Sequence, residues 1–341
     1  MYKLRPITID DLDSIQSLAR ETKAGLTTLP DDRTILKDRI NDAVRSFENP
    51  SNKPGSDIFF FVLEETSTKK IIGTSAIFSK VGGYEPFWIY KIKSKSFKSE
   101  VLNVDKTLDY LQLKKMHNGP TEIGTLFLLP EYRKLNIGRL LSLGRFHFIK
   151  QFSQCFEKYI IAELRGKVSS KGESPFWDSI GAHFFDVPFV LADNMVMKDK
   201  SFISDLMPRA PIYISLLPQE AQDVIGKVFR ETKPAARLLE QEGFEQQDEV
   251  DIFEAGPLYK AKTKTIRTIA SSKTVVIKNI TTECTGDTDY LISKLNQHTS
   301  AFNASTGKLD LLSHKSCVIH SNLARMLNVA IGDKILISTL R

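Results

Sequence analysis

TEIGTLFLLPEYRKLNIGRLLSLGRFHF, residues 121–148, reads as an apolar strand, a proline, a short basic turn and a helix that begins at Gly138 and Arg139. A strand that feeds a helix through a tight basic turn aims backbone N–H groups and the positive end of the helix at one spot. That geometry suits a phosphate group. Arg133, Asn136, Ile137, Gly138 and Arg139 are the turn residues expected to hold it. The turn needs a left-handed residue, and Asn136 enters that region more readily than other non-glycine residues.

Working outward, Tyr2–Pro6 predicts a short edge strand, and Asp10 or Asp11 caps a helix with Leu12, Ile15 and Leu18 at helical spacing. Gly25–Asp32 carries turn chemistry, and Arg33–Phe47 resumes a helical pattern. Ile58–Leu63 and Ile71–Phe78 are β-rich runs joined by a polar stretch, a hairpin signal. Leu126–Leu129 and Tyr159–Leu164 are the next strands, on either side of a Gly138–Phe152 helix. Beyond them, Ser174–Phe185 predicts a helix whose Phe176, Trp177, Ile180 and Phe184 read as core, and Pro208–Leu217 is extended. Gln219–Val228 and Ala235–Gln241 read as helices, the second ended by Gly243. The order is α+β. After about Pro257 the composition turns to β-branched residues, Thr, Ser and Lys.

A chain of 341 residues points to two domains with a small third. The expected divisions are 1–200, 201–260 and a β-rich module at 261–341. No stretch has the length and apolarity to span a bilayer, and MYKLRPITIDD lacks the apolar core of a signal peptide. Cys155, Cys284 and Cys317 lie far apart in neither disulfide nor metal-ligand spacing, so a reducing cytoplasm and no metal are expected. The net charge of +6 is spread among interleaved acids with no nucleic-acid signature, so nucleic acid and membrane are not expected as partners.

The spacing Arg133-x-x-Asn136-x-Gly138 resembles the R/Q-x-x-G-x-G/A turn with which GNAT acyltransferases grip the pyrophosphate of coenzyme A. Further blocks resemble bacterial arginine N-succinyltransferases. They are GLTTLP (25–30), TLFLLPEYRK (125–134), AELRG (162–166), SPFW (174–177) with Phe184–Phe185, FISDLMPRAPIY (202–213), QEAQDVIG (219–226) and DIFEAGP (251–257). The resemblance spans nearly the whole chain and is weakest after residue 260. It implies a GNAT-type fold, with a mixed, mostly antiparallel sheet flanked by helices and a C-terminal extension. It also implies transfer of a succinyl group from succinyl-CoA, a co-substrate rather than a resident cofactor, to the α-amino group of L-arginine. Subunits of the family associate, so a homo- or hetero-oligomer is expected.

By the same resemblance, two central strands splay apart around the thioester, and backbone N–H groups near Leu126, Phe127 and Leu128 hold the pantetheine arm and the oxyanion. Leu126 is equally a plain core leucine; one residue can serve both ends. The amine needs a base. The family carries a catalytic His right after the QDVIG-x-V run, where this chain has Phe229. Three readings follow: another base or a water chain, a different acceptor amine, or a catalytically weak member acting as a binding or partner subunit. Glu163, at the end of a predicted central strand, is the candidate base; it reads equally as a partner for Arg165 or a ligand for guanidinium. Thr27, Thr28 and Asp31 in the loop, with Asp251, are the candidate acceptor contacts. His147 reads as a packed histidine.

Overall fold

The computed structural model describes residues 1–22, 28–83, 85–133 and 136–340. The chain opens with strand β1 (Tyr2–Pro6) and helices α1 (Leu12–Glu21) and α2 (Arg33–Glu48). The Asp32 side chain caps α2 by accepting from the N–H groups of Thr34 and Ile35. A first hairpin, β2 (Ile58–Glu65) and β3 (Lys70–Phe78), precedes a longer one, β4 (Phe87–Ser99) and β5 (Val104–Met116). Then come β6 (Thr121–Leu128), α3 (Ile137–Gln151) and β7 (Tyr159–Glu163). Short helices follow: α4 (Pro175–Ser179), α5 (Gly181–Phe185), α6 (Phe189–Met195) and α7 (Ser201–Leu206). After β8 (Ile212–Tyr213), α8 (Gln219–Gln222) and α9 (Lys233–Gln241), the strands β9 (Glu245–Val250) and β10 (Pro257–Lys262) pair with each other. The last part holds α10 (Arg267–Ser271), β11 (Lys273–Thr281), β12 (Asp289–Lys294), β13 (Ala304–Ser313), β14 (Ser316–His320), α11 (Ser321–Leu327) and β15 (Lys334–Thr339).

The strands form one mixed sheet in the order β12-β15-β11-β14-β13-β1-β2-β3-β6-β7-β10-β9-β4-β5-β8. Among the described residues, only β6–β7 and β11–β14 pair in parallel. Because β12 also pairs with β13, the last five strands close into a small barrel around Ile277, Ile292, Ile319 and Ile335. The expected division at 260–261 runs through β10, and the barrel begins at Lys273. β1 was expected at an edge; it lies between β2 and β13, which meets it at Leu4↔Ala304.

Two further expectations are corrected. The segment 174–185 is two short helices, because Ile180 leaves the helical region (φ −130°, ψ −69°) where Gly181 packs on the Trp177 ring. That break turns Phe184 out to 48% exposure, while Phe176, Trp177 and Ile180 stay in the core. The helix expected over 219–228 stops at Gln222.

α3 is buried on almost every side from Leu140 to Ile149, held between the sheet and the barrel. Phe148 sits among the rings of Phe47, Phe59, Phe61, Phe152, Phe156 and Phe302, with centroids 4.8–6.0 Å away. On the same helix the buried His147 hydrogen-bonds with the Ser293 hydroxyl at 3.0 Å and the Ser338 hydroxyl at 2.9 Å, tying α3 to the barrel. Burial pulls its imidazole down to about 3 from 6.5. The unfolded chain therefore takes up the extra proton as pH falls, and stability falls with it. From about pH 7.5 to about pH 5 this one group is expected to remove about 2 kcal/mol. Urea unfolding followed by tryptophan fluorescence measures it; His147→Gln is expected to lose less over that interval, and equal losses would refute the assignment.

Candidate active site

β6 and β7 run parallel only at Thr121↔Ile160 and Glu122↔Ile161, and then separate. Among the described residues, the β7-facing edge of β6 has no strand partner from Ile123 onward, although the Leu128 carbonyl is taken by Arg133 and the Gly124 carbonyl by Arg145. On its other edge the β3–β6 register slips between Thr74 and Ala76. At that bulge Thr125 takes φ +50°, an unusual conformation for a β-branched residue, and its carbonyl accepts from the Thr74 hydroxyl at 3.0 Å. Such strain is kept where the surrounding sheet over-determines it, commonly at a functional site. The half-buried Leu126 and the buried Phe127 and Leu128 follow directly, their side chains in the main core.

The open end of the splay is acidic. Glu163, the last residue of β7, is half-buried, yet its Oε1 is shielded from solvent and has no hydrogen-bond partner among the described residues. Burial, and then the charges of Glu122, Asp251 and Glu254, hold its carboxyl well above the usual carboxylate range against the opposing Lys200 ammonium. Burial also raises Glu122 and Asp251, and takes Glu254 up to about 8 in spite of Arg165. Of the alternative readings of Glu163, the pair with Arg165 is not formed. Arg165 instead meets Asp193 at 3.2 Å and Glu254 at 3.3 Å. Asp251 spends Oδ1 on the turn that follows it, accepting from the N–H groups of Phe253 and Glu254. Four carboxyls with raised affinity for protons share one region with Lys200, a pattern that clusters at functional sites.

Backbone contact between two distant segments creates this crowding. A Cβ on Gly166 would stand 2.2 Å from the Glu254 carbonyl oxygen, and one on Gly256 would stand 2.0 Å from that of Leu164. The Leu164 N–H donates to the Pro257 carbonyl at 3.0 Å, and the Gly166 N–H donates to Glu254 Oε1 at 3.1 Å. Each glycine lets the other strand end approach, and so Glu163 and Glu254 become neighbours.

The turn between β6 and α3 is described at Arg133 and from Asn136 onward. Asn136 is left-handed, at φ +61°, and starts α3 by accepting from the Arg139 and Leu140 N–H groups. Gly138 opens the first turn of the helix, where a Cβ would meet the Leu128 side chain at 3.9 Å and no nearer atom. Arg133 folds back, its Nε donating to the Leu128 carbonyl at 3.0 Å and its guanidinium 5.9 Å over the Phe127 ring. Arg139 donates to Gln241 Oε1 at 3.2 Å.

Residues 2–268 match the arginine N-succinyltransferase beta subunit family. The chain belongs to this family. Over the full chain it is 39% identical to an arginine N-succinyltransferase of Yersinia pestis, covering 98% of that protein. It is 40% identical to the arginine N-succinyltransferase subunit beta of Pseudomonas aeruginosa over 80% of each chain. Its structure superposes on that of arginine/ornithine succinyltransferase subunit AI from Pseudomonas aeruginosa with a TM-score of 0.89 at 29% identity, covering 99% of this chain and 98% of the other. The GNAT-type fold of the arginine N-succinyltransferase family is therefore the fold of this chain.

The remaining sites expected from the family resemblance fall as follows. Phe229 is half-buried and packs against the core built around Tyr90, Trp177 and Val250, and its carbonyl accepts from the Thr232 and Lys233 N–H groups that begin α9. Its ring has no proton to offer. Thr27 lies outside the described residues. Thr28 Oγ1 is shielded from solvent and has no hydrogen-bond partner among them. Asp31 is exposed and paired with Arg20 at 3.2 Å, a brace between loop and α1. The open hollow bounded by Lys167, Glu173, Asp178 and His183 uses none of the site residues. Glu122, Glu254, Lys200 and Arg39 were not singled out from the sequence. Glu122 and Glu254 stand inside blocks whose spacing carries no acid–base signature, and Arg39 reads as one more charge on a surface helix.

Among the described residues no group of three or more His, Cys, Asp or Glu is arranged to hold a metal ion. Nor is any helix among them long and apolar enough to cross a membrane.

Proposed function

We propose that this chain transfers the succinyl group of succinyl-CoA to the α-amino group of L-arginine. The observation that carries the reading is the set of raised carboxyls at the open end of the β6–β7 splay. L-Arginine brings an ammonium and a guanidinium, and carboxylates are the groups that bind both. Family membership and the preserved splay support the donor half.

In this reading succinyl-CoA, a co-substrate, lies along the open edge of β6 with its thioester near Leu126–Leu128. Arg133 and the start of α3, Asn136 to Arg139, take the pyrophosphate. Glu163 accepts a proton from the substrate ammonium, and the freed nitrogen attacks the thioester carbonyl. Main-chain N–H groups of β6 stabilise the oxyanion, the carbon–sulfur bond breaks, and the thiolate receives a proton from Glu163 or from solvent. A carboxyl whose affinity for protons is already raised is well matched to this work near neutral pH, which is how the reaction proceeds with Phe229 in place of a histidine. Asp251 and Glu254, from the 201–260 segment, complete the acceptor side. Thr28 and Asp31 are the further acceptor contacts in this reading.

A cytoplasmic setting fits three free thiols. Association into a homo- or hetero-oligomer fits the tip of the β4–β5 hairpin, where Val101 is 95% exposed and Leu102 74%.

Thiol release from succinyl-CoA, measured with and without L-arginine, tests the activity. An arginine-dependent rate with a mass gain of one succinyl group on the α-nitrogen is expected. No release from protein that binds succinyl-CoA would overturn the reading, and recovery in Phe229→His would identify a catalytically weak relative.

A further inference from the structure

Arg39 lies in the middle of α2, is 7% exposed, and has neither Nε nor Nη2 hydrogen-bonded to any described residue. Its Nη1 meets the Sδ atom of Met197 at 3.4 Å, a weak acceptor. The guanidinium stands 5.5 Å over the ring of Phe78, and Phe78 is the register partner of Glu122 across the β3–β6 ladder. Glu122 and Asp42 act on it electrostatically, but neither comes within ion-pair distance. Burial lowers its proton affinity to about 10, so the group is still a cation at neutral pH.

Other buried guanidiniums in the chain are served. Arg145 donates to the Ser142 carbonyl, the Ser142 hydroxyl and the Gly124 carbonyl. Arg165 has Asp193 and Glu254. A buried guanidinium with neither a counter-charge nor a full set of hydrogen-bond acceptors is costly, and a ligand that supplies an anion there removes the cost. The segment that covers Arg39, between α6 and α7, also carries Lys200, whose charge reaches both Glu122 and Glu163. Two cations therefore stand beside Glu122, on the acceptor side of the splay.

We infer that Arg39 is a carboxylate receptor for this reaction: a substrate carboxylate displaces the Met197 thioether and pairs with its planar fork, while Lys200 adds charge at the entrance. The inference rests on the proposed succinyl transfer. Both substrates bring one carboxylate, the distal group of the succinyl chain and the α-carboxylate of arginine. A guanidinium binds either by the same two parallel N–H donations.

Binding measurements separate the two sources. Affinities of the full-length protein are compared for succinyl-CoA against butyryl-CoA, which replaces the carboxylate by a methyl group, and for L-arginine against L-argininamide. A preference of about thirtyfold or more for the carboxylate partner is expected in one pair, falling to about threefold or less in Arg39→Met. Loss in the CoA pair assigns Arg39 to the succinyl end, and loss in the arginine pair assigns it to the amino acid. Arg39→Lys, which keeps the charge without the fork, is expected between the two. No preference in either pair for the unaltered protein, or a preference that survives in Arg39→Met, overturns the inference; the first result needs no variant to fold. Because binding is read in the absence of turnover, these outcomes are distinct from a failure of arginine-dependent thiol release.

Discussion

Glu163→Gln is expected to lose about 10²- to 10⁴-fold in turnover with succinyl-CoA and L-arginine, while affinity for succinyl-CoA changes little. The amide keeps the shape of the carboxyl and cannot accept the proton. In the unaltered protein kcat/KM should rise with pH as Glu163 ionises through its raised proton affinity. In the variant that acid limb should disappear. A second readout runs the other way. Burial and its acidic neighbours raise the affinity of Glu163 for protons in the folded state, so the folded chain holds a proton that the unfolded chain gives up as pH rises past the ordinary carboxylate range. Its contribution to stability is thus fully present at low pH and is lost as pH rises through the folded value. Glutamine imitates the protonated acid at every pH, so the variant is expected to melt higher than the parent at neutral pH while working far more slowly. A loss in turnover below tenfold, with the acid limb intact, would remove Glu163 from the role of base.

Gly256→Ala is expected to be the most disruptive small substitution in the chain. Its methyl group would lie 2.0 Å from the Leu164 carbonyl oxygen and 2.7 Å from the Gly166 nitrogen. Both are main-chain atoms of the segment after β7, so no side chain can swing aside. Relief requires the two segments to part, which would also separate Glu163 from Glu254. Destabilisation of about 3 kcal/mol or more is expected, at the upper end for overpacking. Thermal melting and soluble yield measure it. Gly83→Ala, in a turn where a Cβ would meet nothing within 4 Å, is the control and is expected to be silent. Equal melting temperatures for the two variants would mean that the AELRG and EAGP segments do not bear on each other as described.

The parts of the site legible in the sequence are those built from consecutive residues. The strand-turn-helix at 121–148 needs only local chemistry: apolar alternation, a proline, a residue able to turn left-handed, and a helix with an apolar face. The long β4–β5 hairpin carries no clear strand signature in the sequence because from Lys91 to Tyr110 its arms are lysine-rich and exposed or half-buried, without one buried face to impose a two-residue rhythm. The break at Ile180 was equally hidden, since it depends on Gly181 meeting the Trp177 ring. β1 looked like an edge because β13, some 300 residues away, is its other neighbour.

The sequence by itself determined the strand-turn-helix at 121–148, the first hairpin at 58–78, the family, and the presence of Glu163 at a strand end, because each follows from neighbours along the chain. Only the tertiary structure decided what Glu163 faces. Its proton affinity is set first by how little water reaches it and then by Glu122, Asp251 and Glu254, which the fold brings from two other places in the chain. The same holds for Arg39, a charged residue on an ordinary helix until the fold buries it near Glu122 with no counter-charge at ion-pair distance. Desolvation and the sign of neighbouring charge belong to a place in space, and linear spacing does not carry them.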